Sequence, residues 1–247
     1  MEKVLALIEK KKQEFAESGL FEFMRDQSID PRQRLAFAPC IAPFAMSFGE
    51  FNKYVFREEP TNDPLQVIVN THTYEDDHHW LWFMEDLETL GINKAVKFND
   101  ALNFLWNEET KPSRWVTHHI FRYAFGASPI TKLAILEVIE ATGNVFFSTA
   151  APIAQELRTI TQKEFRYFGR FHLEVEIAHI IWTPEVYQLI KNTQLTEETR
   201  QEVFKMVEHL FEVFTELTDA LLVYAKTHSF EHSFVQSREI LQPLKVA

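Results

Sequence analysis

The sequence predicts an all-α protein, and three observations carry that prediction. Apolar residues recur at helical spacing along almost the whole chain, with no strand-like alternation of useful length. Six glycines and ten prolines in 247 residues are few for a β-rich or dinucleotide-binding fold, which needs many tight turns. The 23 phenylalanines fall mostly inside helical patterns, which suits a wide bundle rather than a slim coiled coil. With no internal repeat and no low-complexity linker, the expectation is a single domain over 1–247, a bundle of about seven to nine helices.

Residues 2–18 carry Val4, Leu5, Ile8 and Phe15 at helical spacing, and Gly19 stops that segment. A short helical piece around LFEFMRD follows. Pro31 can open the next helix, which continues through RQRLAFAPCIAPFAMSFGEFNKYVF, with Pro39 and Pro43 inside it to kink or break it. Asn62 or Asp63 caps a helix that starts at Pro64, runs through 64–90 and ends at Gly91.

Shorter helices are expected over 97–109 and 113–125, separated at Lys111-Pro112. Pro129 starts another, ITKLAILEVIEATG, with an interruption expected at Gly143 and a further helix around 151–158. A helix over 162–182 precedes Pro184. Thr196 caps the last long helix, whose first turn is acidic (Glu197, Glu198), as the helix dipole favours. Val203, Val207, Leu210, Phe211, Phe214 and Leu217 mark its buried face to about Tyr224, and the tail after His228 is less regular.

The formal net charge is -11, which disfavours phosphate backbones and anionic lipid as partners. Cys40 is the only cysteine, so neither an intrachain disulfide nor a zinc–thiolate cluster is expected. The start, MEKVLALIEKKKQEF, has too short an apolar run for a signal peptide, and no stretch reaches the uninterrupted apolar length of a membrane span. A cytoplasmic protein acting on a small-molecule substrate is expected, with a homodimer compatible.

The chemistry concentrates in FHLEVEIAHI. His172, Glu176 and His179 stand at i, i+4 and i+7 and share one helical stripe, among Leu173, Val175, Ile177 and Ala178 and before Ile180, Ile181 and Trp182. Burying imidazoles and a carboxylate is costly unless something pairs them, and a metal ion is one such partner. A second cluster, His72 to Trp80, holds Glu75 and His79 at i, i+4, with His72 a further turn up; Asp76 and His79 at i, i+3 could serve instead, as could His78. A third helix offers Glu140, with Glu137 as its competitor. Glu75, His79, Glu140, His172, Glu176 and His179 make a mixed nitrogen–oxygen set for two first-row metal ions, built from inward-facing side chains of a bundle.

In that order and spacing, the stretches NTHTYEDDHHWLWFMEDLETLG, IEATG and YFGRFHLEVEIAH resemble the haem-oxygenase-like di-iron oxidases, the group that includes the chlamydial CADD proteins. The resemblance implies a haem-oxygenase-like bundle, a fold also shared by TenA and the PqqC quinone-forming enzymes. It further implies two irons per chain, O2 as co-substrate and oxidation of a small organic molecule. It carries over most directly to His172, Glu176 and His179, with Glu176 where the family often has Asp. The first pair departs from the pattern, because the family separates that Glu and His by more residues, which leaves His72, Asp76 and His78 open as ligands. Ile139 precedes Glu140 where the members that consume their own tyrosine carry one, so that activity is not implied here.

Three other readings compete. A ferritin-like carboxylate protein would use Glu140 with Glu176 and His179, and Glu50 with Asp76 and His79, but leaves His172 without a role. A cofactor-free enzyme like TenA or PqqC would use the histidines as acids or bases. A non-enzymatic helical binding protein would simply bury them. His118-His119 and the His228/His232 pair are metal-capable, but a core or chance role suits them better; haem ligation is disfavoured, since no histidine precedes His72. The aromatic-rich interior points to a partly apolar substrate, such as a fatty acid or an aromatic or aliphatic amino acid.

Overall fold

The computed structural model describes residues 1–93, 95–179, 181 and 183–232, which contain helices and turns and no strand. The first helix, α1 (Glu2–Ala16), buries Val4, Leu5, Ile8 and Phe15. Gly19 opens α2 (Gly19–Arg25) instead of simply ending α1; a Cβ there would stand 3.0 Å from Leu222. The prolines divide the next run. Asp30 accepts the Arg32 amide at 2.8 Å and starts α3 (Pro31–Arg34), Pro39 opens a 3-10 turn (Ala38–Ile41), and Pro43 lies in the first turn of α4 (Ala42–Phe51). A π turn (Asn52–Phe56) completes this stretch.

The run expected as one helix over 64–90 is two. Asp63 caps α5 (Pro64–Asp76), accepting the Leu65 and Gln66 amides, and α6 (His79–Leu90) ends at Gly91 in the left-handed region. The break at Asp77–His78 has two visible causes. Arg57 donates to Thr73 and to Asp77, both at 2.9 Å, and so holds the end of α5. Gly49 of α4 presses against the junction, where a Cβ would meet the Asp77 carbonyl at 2.9 Å and Trp80 at 3.0 Å.

The short helices are α7 (Phe98–Trp106) and α8 (Lys111–Ala124), the latter with Pro112 in its first turn. From Pro129 a single helix, α9 (Pro129–Thr161), runs through the interruption expected at Gly143 and takes in the separate helix expected around 151–158. Gly143 costs it some backbone entropy but has only the Phe147 ring near its missing Cβ. Pro152 removes one donor, and the carbonyl left behind belongs to Ser148, an exposed residue that water can reach. From Lys132 to Thr142 every residue of α9 is buried, so this helix is enclosed on all sides. Among the described residues α9 is the one helix long and apolar enough to cross a membrane, contrary to expectation, and 72% of its most apolar window is buried within the protein.

The expected helix over 162–182 is mostly loop. Asp86 accepts the backbone amides of Arg166 and Phe168, both at 2.8 Å, holding this part of the chain out of helix. Only α10 (Arg170–Ile177) remains, and Ile180 and Trp182 lie outside the described residues. A helix not foreseen, α11 (Pro184–Asn192), follows. The last, α12 (Glu197–Thr227), is capped by Thr196, which accepts the Thr199 amide at 3.1 Å. After His228 comes a 3-10 turn (Phe230–His232), and 233–247 lie outside the described residues.

The core is one continuous apolar cluster from Met1 to Phe230. At its centre α9 packs against α1, α2, α3, α5, α8, α10 and α12. That arrangement sets the apolar middle of α9 beside α5 on one side and α10 on another, and the polar residues of all three helices meet there.

Candidate metal centre

Four structural elements supply the polar residues that meet at the core. His72 and Asp76 lie on one face of α5, His79 starts α6, Glu137 and Glu140 lie on α9, and His172 and Glu176 on α10. His179 stands just past the end of α10, after Ala178. His72, Asp76, His79, Glu140, His172, Glu176 and His179 are all buried.

They fall into two adjoining groups, each with its ligand atoms within 4.8 Å of one another: His72, Asp76, Glu140 and His179, and His79, His172 and Glu176. In the first, His72 Nε2 lies 2.8 Å from Glu140 Oε1, and His179 contacts Glu140 at 3.3 Å and Asp76 at 3.4 Å. In the second, His172 Nε2 lies 2.7 Å from Glu176 Oε1 and 3.0 Å from His79 Nδ1. Asp76 and Glu176 connect the two, since Asp76 lies 3.2 Å from His79 Nδ1 and Glu176 lies 3.8 Å from His179 Nδ1.

The stripe His172–Glu176–His179 is therefore divided. His179, beyond the end of α10 at Ile177, contacts Glu140 and Asp76 of the group built on α5 and α9, while its Nδ1 stays 3.8 Å from Glu176. The break between α5 and α6 has the same kind of effect. It removes the i, i+4 relation between Glu75 and His79, and Glu75 stands half-buried outside both groups. Asp76 and His72, at i and i+4 within unbroken α5, are brought in. His78 is exposed beside Asp77 and also lies outside.

Glu137 is buried one turn from Glu140 but belongs to neither group; burial, reinforced by Glu140, raises its carboxyl to about 8. Glu50 is exposed, which removes a carboxylate from the ferritin-like pattern. His119 pairs with His209 at 3.0 Å across α8 and α12, and His118 packs against Trp115. His228 stacks on Tyr224; the side chain of His232 lies outside the described residues.

The electrostatics are those of charges held out of water. Burial raises Asp76, and it would raise Glu176 too, but hydrogen bonds from His172 and His79 hold Glu176 well below the usual carboxylate range. Burial lowers His79 to about 4, only partly offset by Glu176. Burial would also lower His179, but Glu140, Asp76 and Glu176 outweigh it and raise the imidazole to about 10.

These residues fit a metal by an observation independent of their spacing. His72 Nδ1, Asp76 Oδ1, His79 Nε2 and His179 Nε2 are buried and have no hydrogen-bond partner, a cost that a cation would remove. His172 is already oriented, because its Nδ1 lies 2.9 Å from the Tyr167 carbonyl, which can only accept. Nδ1 therefore carries a proton, and Nε2 faces His79 and Glu176. Two ions can be held, with nitrogen and oxygen donors and no thiolate, the donor set of borderline and hard first-row cations.

No protein-family model matches this chain, and no curated protein matches it either. What the centre does must be read from its own residues and surroundings.

Those surroundings are apolar. A cavity between the helices opens onto Asp76, His79, Glu140, His172 and Glu176. Of the rings near this end, Phe147 lines the cavity 4.0 Å from His172, and Trp82 stacks on His79 at 4.2 Å from outside the lining. Further out it is lined by Phe44, Phe48, Phe146 and Phe214. Tyr167, Trp82 and Asp86 act on the centre from outside it, and the sequence offered no spacing to single them out.

Proposed function

We propose that this protein is a non-haem di-iron enzyme that uses O2 to oxidise a small, partly apolar organic molecule, built on a haem-oxygenase-like bundle. One observation carries the reading: two adjoining buried histidine–carboxylate groups, with unpartnered donor atoms, open onto an aromatic cavity. The all-helical fold and the division of ligands among α5, α6, α9 and α10 support it. Two ferrous ions bound by the seven residues would supply the electrons and the open positions that reduction of O2 requires.

The chain's own residues have the remaining tasks. The Tyr167 carbonyl fixes the His172 tautomer. Phe147 and the phenylalanines beyond exclude water and hold an apolar substrate beside the centre. Protonated Glu137 keeps a further charge away from the first group, since burial favours its neutral form.

A second reading, a cofactor-free acid–base enzyme like TenA or PqqC, draws on one observation: neighbouring histidines driven apart, His79 down to about 4 and His179 up to about 10. Anaerobic reconstitution with Fe(II), followed by metal analysis and O2 uptake, separates the two. Binding of about two irons per chain and O2 consumption without added reductant favour the di-iron reading. No iron uptake by correctly folded protein rejects it and leaves acid–base chemistry.

A further inference from the structure

The seam between α8 and α12 brings together two histidines that the interior centre does not use. His119 Nδ1 of α8 and His209 Nε2 of α12 lie 3.0 Å apart, with ring centroids at 4.7 Å. Both residues are half-buried, and neither lines the central cavity. With nothing between them the facing nitrogens share one proton, and the nitrogen that carries it donates to the other.

Three observations make this pair a place for a cation. The first is its span. Two imidazole nitrogens on one ion, each at about 2.0–2.1 Å, stand about 2.9 Å apart at a right angle and about 3.4 Å apart at a tetrahedral angle. The observed separation falls inside that range, so an ion requires the rings to turn and not the helices to part.

The second is the partner of the other ring nitrogen. Glu212, one turn beyond His209 on α12, holds a carboxylate oxygen 3.5 Å from His209 Nδ1. A carboxylate there favours the proton on Nδ1 and leaves the Nε2 lone pair facing His119, as metal-ligating histidines commonly require. The third is protonation. Burial, followed by His209 and Arg122, lowers His119 below the ordinary imidazole range, with Glu216 opposing. At neutral pH His119 is therefore free of the extra proton that would repel a cation.

We propose that His119 and His209 form a separate, peripheral site for a borderline divalent cation, Cu2+ or Zn2+, which ties α8 to α12. Two neutral imidazoles select this class over Mg2+ and Ca2+, which take oxygen ligands. Fe2+ stands below Cu2+ in the affinity order of such sites. On binding, the proton that His119 Nδ1 donates in the metal-free pair goes to its other ring nitrogen, and water fills the remaining positions on the ion. The site is independent of the di-iron reading.

The test is equilibrium dialysis of the full chain against Cu2+ and, separately, Mg2+, with metal analysis and circular dichroism on the same samples. His119→Ala and His209→Ala should each lower bound Cu2+ by about one ion per chain, and ions held elsewhere cancel in that comparison. His119→Gln and His209→Gln replace the alanine variants if those fold poorly. The difference should persist when His72→Ala and His172→Ala disable the interior centre, which separates this site from that one. Mg2+ content should be the same in native protein and variants. Equal Cu2+ content in native protein and folded variants, or a loss of Mg2+ matching that of Cu2+, would overturn the inference and leave the pair a hydrogen bond between two helices.

Discussion

His172 Nδ1 donates to the Tyr167 carbonyl at 2.9 Å, and its Nε2 is thereby turned to Glu176 at 2.7 Å and His79 at 3.0 Å. Residue 167 lies in the loop that Asp86 organises, so a carboxylate on α6 fixes the direction of an imidazole on α10. Positioning of this kind commonly changes metal affinity by about ten- to a hundredfold.

Ligand substitutions should separate the two groups. His172→Ala should lower bound metal from about two to about one per chain, and His72→Ala should do so by emptying the other position. Glu75→Ala should leave the count unchanged, since Glu75 stands outside both groups. Metal analysis after dialysis measures all three.

Asp86 should make stability depend on pH. Burial raises its carboxyl to about 6, even though the Phe168 and Arg166 amides favour the charged form. The folded protein thus keeps a proton that the unfolded chain has lost, and the resulting stabilisation, full below pH about 4, disappears as pH rises through about 6. The stability gap between the native chain and Asp86→Asn should shrink over that interval by on the order of 2–3 kcal/mol in metal-free protein. Urea unfolding at a series of pH values measures it, and a constant gap would contradict the shift.

Gly49→Ala tests the junction of α5 and α6. Its Cβ would stand 2.9 Å from the Asp77 carbonyl, and a carbonyl cannot swing aside as a side-chain tip can. A loss of roughly 1–3 kcal/mol is expected, together with weaker metal retention, because the junction sets Asp76 relative to His79. Chemical denaturation with parallel metal analysis reads both effects.

Metal removal should lower the unfolding temperature without unfolding the protein at room temperature. The apolar core runs from Met1 to Phe230 independently of the centre, while an ion at about a hundred times its dissociation constant adds close to 3 kcal/mol. Circular dichroism melts with and without a chelator check this, and loss of helix on chelation at room temperature would show that the ions hold the fold itself.

The sequence by itself determined that the protein is helical, that helices begin at Asn62 or Asp63, at Pro129 and at Thr196, and that imidazoles and carboxylates lie in apolar segments at turn spacing. These are local properties, set by periodicity, capping oxygens and proline geometry within a few residues. Beyond the stop at Gly91, tertiary structure decided where the helices that carry the site end. Arg57 and Gly49 break the 64–90 run, Asp86 holds the segment before α10 as loop, and enclosure by other helices carries α9 through Gly143 and Pro152. Those stops choose the candidate ligands, because a helix that ends one turn early sends the next side chain in another direction. Asp76 replaces Glu75 beside His79, and His179, past the end of α10, joins His72 while remaining next to Glu176. Spacing along the chain fixes directions only while the helix lasts, and contacts between residues far apart in sequence fix how long that is.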